Sequence, residues 1–392
     1  MRPVNLLRVI TALAVENYRS LRRLVLPVER LNVVTGANGS GKSSLYRALR
    51  LLADSARNGA VAALAREGGL ASTLWAGSPQ AGRSLRQGKP LVQGGAERRL
   101  LLGFAGDDFG YAMDLGPPVP APTMFESDPE IKAESVWAGP VLRPAALLAE
   151  RAASGTVRIR SASGDWDRLP YNLKPFDSML SEIADPQRAP ELLVLRERIR
   201  SWRFYDHLRT DAHAPARTAQ IGTRTPVLNH DGADLAAALQ TIREIGDDQA
   251  MSNAIDHAFP GSRIQIIEAA GRFELTLRQP GLMRPLRAAE VSDGTLRYLL
   301  WVAALLTPRP PELLVLNEPE TSLHPDLISS LADLIIAASA KTQIIVVTHA
   351  QPLVTALQNG SAHTIELIKD DGRTLITGQG ILDEPPWHWP TR

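Results

Sequence analysis

Apolar and polar positions change rhythm several times along the chain, and each change predicts an element. Residues 8–16 and 23–28 alternate or run apolar and predict strands. "RLNVVTG" (30–36) predicts a short buried strand ending in a glycine. "KSSLYRALRLLADSA" (42–56) follows with apolar residues at helical spacing. Residues 57–99, rich in Gly, Ala, Arg and Gln, predict loop with short helices. "RRLLLGFAGDDFGYAMDLG" (98–116) and "TVRIRSASGDWDRL" (156–169) predict hairpins, and "PPVPAPTMFESDPE" (117–130) a proline-rich connector. The first half is therefore expected to be rich in short antiparallel strands.

The second half reads differently. "APELLVLRERIRSWRFYDHLR" (189–209) predicts an amphipathic helix, and Asp231 is placed to cap a second, "GADLAAALQTIREI". A hairpin is expected within 262–279. Beyond it, helix 294–306, strand 312–317, helix 325–339 and strand 343–348 alternate, which predicts a parallel α/β layer. No internal repeat and no sustained heptad array interrupts this order. The tail 383–392 either docks through Trp387 and Trp389 or stays loose; the sequence leaves both open.

Composition narrows the classes. The chain has 392 residues, enough for one large domain or two ordinary ones, and its net charge is +1. Bulk electrostatic attraction for nucleic acid is not indicated, local basic patches apart. Without cysteine there is no disulfide, thiolate zinc site or thiol nucleophile, in keeping with a reducing, cytoplasmic compartment. No run reaches the length of a membrane span. The opening stretch has an arginine before an apolar run and an "ALA" triplet, like a signal peptide. Asn5 and Arg8 interrupt that run, so we read it as structure.

"GANGSGKS", Gly36 to Ser43, matches the phosphate-loop pattern in full, between a predicted strand and a predicted helix. Glycines let backbone N–H groups curl around phosphates, and the helix N-terminus adds its dipole. Gly36, Asn38, Gly39, Ser40, Gly41, Lys42, Ser43 and Ser44 are thereby candidate ATP-binding residues. Lys42 would face the β- and γ-phosphates, and Ser43 would ligate Mg2+. Three further stretches follow in order. "VSDGT" stands before the helix at 294, "LLVLNEPETSLHP" (313–325) closes a buried strand, and "IIVVTHA" (344–350) ends another with His349.

Together with the phosphate loop, these stretches resemble the motifs of ABC-type ATPases. The resemblance implies that Ser292 and Gly294 bind the γ-phosphate of ATP held by an opposite subunit, and that His349 senses that phosphate. Asp293 and Thr295 depart from the family's glycine and glutamine. "VENYRSLRRLVLPVERLNVVTGANGSGKSSLYRAL", with Tyr18, Arg19 and Ser20, resembles the N-terminal lobe of the RecF and SMC group, which adds Arg19 to the nucleotide-binding candidates. Nearly the whole chain resembles RecF/OLD-like AAA-type ATPases, including "WRFYDHLRTDAHAPAR", "HDGADLAAALQTI" and "LNEPETSLHP". About forty residues follow His349, fewer than the Toprim nuclease of the OLD enzymes needs. The expected fold is thus an α/β P-loop NTPase of the ABC-type head class. Lobe I spans 1–188, with mixed and antiparallel strands and the phosphate loop. A helical, basic insert spans 189–230, and an α/β lobe II spans 231–392. The family's glutamine loop is not placed.

Asn317 stands where the resemblance predicts an aspartate. That aspartate mostly reaches magnesium through water, so asparagine keeps an acceptor but loses a charge, which is expected to weaken the metal site without abolishing it. Glu318, which would polarise the attacking water, is present. The expectation is an ATP-hydrolysing sandwich homodimer coupled to DNA in repair, maintenance or phage defence, with a partner protein or nuclease left open. The alternative is an ATP-gated dimerising switch that recruits a partner with little turnover; a transporter subunit ranks third. Two weaker signals remain. Asp206, His207, Asp211 and His213 have metal-ligand chemistry, but their irregular spacing favours a solvated polar surface. Arg196, Arg198, Arg200, Arg203 and Arg209, interleaved with Trp202, Phe204 and Tyr205, would suit DNA phosphates and bases, and equally an ordinary amphipathic helix.

Overall fold

The computed structural model describes residues 10–57, 59–77, 99–161, 163–206, 208–380 and 382–390. The chain divides into two units. Unit 1 comprises residues 1–29, 35–202 and 365–392; unit 2 comprises 30–34 and 203–364. The segment 189–230, expected as an insert, is shared: the helix Pro190–Ser201 lies in unit 1 and the chain from Arg203 in unit 2.

Unit 1 is built on an eight-stranded antiparallel sheet. Its spatial order is Leu21–Pro27, Ile10–Tyr18, Leu100–Gly106, Phe109–Gly116, Glu130–Ala138, Leu147–Arg151, Thr156–Arg160 and Trp166–Asn172. The hairpins expected within 98–116 and 156–169 form with their turns where the sequence puts them. Residue 98 and residues 8–9 lie outside the described residues. Of residues 57–99, two short helices, Ala60–Arg66 and Gly69–Thr73, are described, and 78–98 lie outside.

The central strands are buried on both faces. One face carries Leu13, Leu102, Phe104 and Tyr111. The helix Lys42–Ser55, burying Leu45, Leu49 and Leu52, packs on the first two of these strands. The other face is made of small residues, Ala12, Ala105 and Ala112, and Trp137, Trp387 and Trp389 cover it. A Cβ on Gly103 would meet the Trp387 ring at 2.7 Å, and Trp389 donates from Nε1 to Glu16 at 3.0 Å. The tail therefore docks, as one of its two readings expected. On the first face, Glu134 is fully buried. It accepts hydrogen bonds from Tyr111 Oη (2.7 Å), Ser178 Oγ and the Met179 amide (2.8 Å), and lies 3.8 Å from Arg151. Burial and the adjoining carboxylate push the Tyr111 phenol well above its ordinary range.

Unit 2 carries the expected parallel layer. Arg203–Tyr205, Leu313–Asn317, Gln343–Val347 and Leu31–Gly36 run parallel in that order, the last contributing its residues up to Val34. Helices Leu235–Ile245, Asp248–Ala258, Asp293–Leu305, Leu327–Ser339 and Gln351–Asn359 share its core. Two expectations need correction. The helix expected over 189–209 stops at Ser201, because Trp202 turns extended and Phe204 and Tyr205 enter the sheet. Asp231 does not cap the next helix. Its carboxylate accepts from Ala233 N, and the helix begins at Leu235 behind Asp234. Unit 2 also holds a small antiparallel sheet, with Arg263–Ala269 and Arg272–Arg278 as its central hairpin.

Candidate functional site

The phosphate loop belongs to unit 1. Gly36, Gly39 and Gly41 take φ of 139°, 78° and 113°, the left-handed region where a side chain is costly. Space forbids one as well: a Cβ on Gly36 would lie 2.2 Å from the Leu367 carbonyl, and one on Gly41 2.1 Å from Thr374 Oγ1. Thr374, almost wholly buried, donates from Oγ1 to the Ser40 carbonyl at 2.8 Å, and its amide donates to Ser20 O at 2.9 Å. The loop is thus clamped from the strand Arg373–Ile376. Sequence reasoning missed this residue, although Asp371-Gly372 before it is a strong hairpin signal. Lys42 Nζ donates to Gly36 O (2.6 Å) and Ala37 O (3.1 Å). The helix starting at Lys42 has no side-chain cap and no acid in its first turn, and Ala37, Asn38, Gly39 and Ser43 are exposed. Amide donors, a lysine and an uncapped helix start converge here, which suits an anion. Arg19 donates to Glu67 from Nη2 (2.6 Å), and Tyr18 Oη donates to the same oxygen (2.6 Å).

The other candidates belong to unit 2. Parallel register sets Asn317 beside Val347 and Val347 beside Val34, so the strand ends line up at their carboxyl edge. Open α/β sheets hold their ligands at that edge. Just past it Glu318 takes φ 47°, held by the hydrogen bond that its backbone N–H donates to Val347 O (2.7 Å). Its Oε1 lies 3.1 Å from His349 Nδ1, and both side chains are about half exposed. With its proton on Nδ1, the imidazole donates to this carboxylate and leaves the second carboxylate oxygen able to accept from water. Buried Trp301 donates from Nε1 to Pro319 O at 2.8 Å, and Thr348 Oγ1 donates to Glu320. Both fix the turn that carries Glu318. Ser292 caps the helix Asp293–Leu305, accepting from Thr295 N at 3.2 Å. Gly294 faces the Ser322 carbonyl, 3.1 Å from where its Cβ would be.

A profile of the family described as "AAA domain, putative AbiEii toxin, Type IV TA system" matches residues 31–113 and 157–356, more than half of the chain. The chain belongs to this AAA domain family. No curated protein matches the sequence. Among solved structures, an SMC head bound to the C-winged helix domain of ScpA is similar with a TM-score of 0.51 and 14% identity, covering 95% of this chain and 98% of that one. An SMC head domain from Thermotoga maritima gives 0.45 and 14%, over 95% and 99%. The first likeness supports the fold, an ABC-type P-loop ATPase head, and the family match agrees with it. The expected fold class and family resemblance hold.

In this AAA domain, Asp293 stands where the ABC-type pattern has glycine. Its carboxylate pairs with Arg217, whose guanidinium also donates to Val291 O (2.6 Å) and Ala288 O (3.0 Å). The departure is thus tied down structurally. The weaker signals disperse. Asp211 pairs with Arg209, whose hydrogen bonds hold its carboxyl at about 2. Among the described residues no group of three or more acidic or histidine side chains could hold a metal, and His207 lies outside them. Trp202, Phe204 and Tyr205 are buried and unavailable for stacking on bases, and Arg198 pairs with Asp108. Among the described residues no helix is long and apolar enough to cross a membrane.

Proposed function

We propose that this AAA domain binds and hydrolyses ATP as a sandwich homodimer, and that turnover is coupled to DNA in maintenance, repair or phage defence. The observation that carries the reading is Glu318, held in a left-handed backbone with its carboxylate against His349. In a degenerate nucleotide binder that pair would have no reason to persist. Gly36, Asn38, Gly39, Ser40, Gly41 and Ser44 would bind the phosphates through the loop and helix N-terminus, and Lys42 would place its charge at the β- and γ-phosphates. Glu318 polarises the attacking water, and His349 orients that carboxylate. Exposed Ser43 and the amide oxygen of Asn317 fit a hard, oxygen-seeking ion, and would hold Mg2+, which neutralises phosphate charge. Ser292 and Gly294 of a second copy would complete each site at the start of their helix. The Arg19 guanidinium, engaged by Glu67, would have to exchange partners to join it.

Phosphate release and light scattering test the proposal together. Glu318→Gln should cut turnover by about 100-fold or more while retaining ATP, and should dimerise with ATP. Adding Ser292→Arg should abolish that dimer while leaving ATP bound. A monomeric Glu318→Gln protein at saturating ATP would sink the sandwich.

Asn317 favours a second reading, a dimerising switch that recruits a partner protein and turns over little. Under the hydrolase reading, Asn317→Asp lowers the magnesium requirement a few-fold, about 1 kcal/mol, because the added charge acts through water. Under the switch reading, it restores nothing.

A further inference from the structure

We infer that the exposed face of the small antiparallel sheet in unit 2 is a docking surface for the phosphate backbone of duplex DNA. This rests on the proposed coupling to DNA and gives it an address.

The register decides which side chains share this face. Arg263 stands directly opposite Arg278, Gln265 opposite Thr276, Ile267 opposite Glu274, and Arg287 pairs with Thr276 from the other side. Successive residues of a strand alternate between faces, so these side chains point one way. Ile264, Leu275 and Leu277 point the other way into the core. Arg263, Arg272, Arg278 and Arg287 are all exposed, whereas the strands carry one carboxylate on this face, Glu274, 4.0 Å from Arg287; Glu290 beside Arg287 is the other nearby acid, and Arg272 donates to Ala219 O at 3.1 Å.

Folding does not explain the arrangement. Like charges directly opposite in a sheet are destabilising. Among the described residues no ion pair or side-chain hydrogen bond engages the Arg263 or Arg278 guanidinium. With the whole chain near neutrality, the positive charge is local and arranged. Arg272 lies at the far end of the hairpin from Arg278, six residues or roughly 20 Å away. A row of that length spans many duplex phosphates, which come about every 1.7 Å of helix axis. No aromatic side chain stands on this face among its described residues, so it offers no platform for stacked single-stranded bases. Arginine suits phosphate through its planar fork of donors, and Gln265 between the charges adds a neutral contact.

The test is fluorescence anisotropy of a short labelled duplex against salt, between roughly 50 and 200 mM, on the full chain with ATP. Arg263→Ala/Arg278→Ala should reduce the slope of log affinity against log salt by about 2 and weaken binding roughly five-fold at the lower salt. Glu274→Gln should act in the opposite direction and tighten binding, which a merely misfolded protein would not do. Basal ATP hydrolysis without DNA should be unchanged in both variants. If wild type and the double variant bind duplex with the same slope, the surface is wrong while the coupling to DNA stands. If wild type hydrolyses ATP yet binds no duplex, both the surface and the coupling fall. Binding to phosphatidylserine vesicles in preference to duplex would also overturn the inference.

Discussion

The phosphate loop and the Asn317–Glu318 turn both hold backbone in the left-handed region, by opposite means. In the loop, Gly36, Gly39 and Gly41 adopt it without a Cβ; the Leu367 carbonyl fills the space that one would occupy at Gly36, and Thr374 fills it at Gly41. In the turn, Glu318 at φ 47° and Ser322 at φ 64° adopt it with their side chains in place. Such residues cost of order 1 kcal/mol or more each and persist only where their surroundings impose them. The hydrogen bond from the Glu318 N–H to Val347 O and the indole of Trp301 are those surroundings. One region is strain-free by composition, and the other is strained and braced. The difference follows from need: the loop offers backbone amides, whereas the turn has to present a carboxylate.

Three substitutions would break or sharpen this contrast. The largest effect is expected from Gly41→Ala, which introduces strain and a clash with Thr374 at once. It should cost about 2–3 kcal/mol in denaturant unfolding and lower nucleotide affinity. Next, Trp301→Phe keeps most of the packing but leaves the Pro319 carbonyl without its donor. A loss of about 1–2 kcal/mol is expected, with kcat falling more than KM changes as Glu318 loosens. An unchanged kcat would mean that the indole does not support the turn. The smallest effect is on stability in Glu318→Gly, which relieves the strained φ. It should raise the unfolding free energy by up to about 1 kcal/mol while removing turnover. A destabilised glycine variant would show that the turn is not strained.

The strand, loop and helix from Leu31 to Ser55 were legible because each element there announces itself locally. The alternation in the second half was legible for the same reason. What escaped depends on partners far along the chain. Arg203–Tyr205 carries on the apolar spacing of the preceding helix, and only pairing with Leu314 to Leu316 makes it a strand. Glu134 and Arg151 sit on sheet positions that alternation would assign to the core or to solvent, and their buried ion pair is a tertiary fact. Within the candidate site, motif residues could be named from sequence, but their braces could not. Thr374 carries no motif, and Arg217, although it closes the stretch "WRFYDHLRTDAHAPAR", and Trp301 gave no sign of the contacts they make. The docked tail did leave a trace: Gly103, Ala105 and Ala112 are small where central strands usually carry larger side chains, and the indole of Trp387 needs that room.

Unit 1 draws on three separate stretches of chain, and the third, from Ile365 onward, is synthesised only after all of 203–364. At roughly 5–20 residues per second, the ribosome takes about 8–30 s to travel from Trp202 to Ile365. Throughout that interval the phosphate loop lacks Thr374, and the small-residue face of the sheet lacks its two indoles. A nascent chain in this condition leaves the small-residue face of its sheet covered by Trp137 alone among its three indoles, an invitation to chaperones and to aggregation alike. The contact that Thr374 makes with the loop is thus one of the last that translation supplies to unit 1.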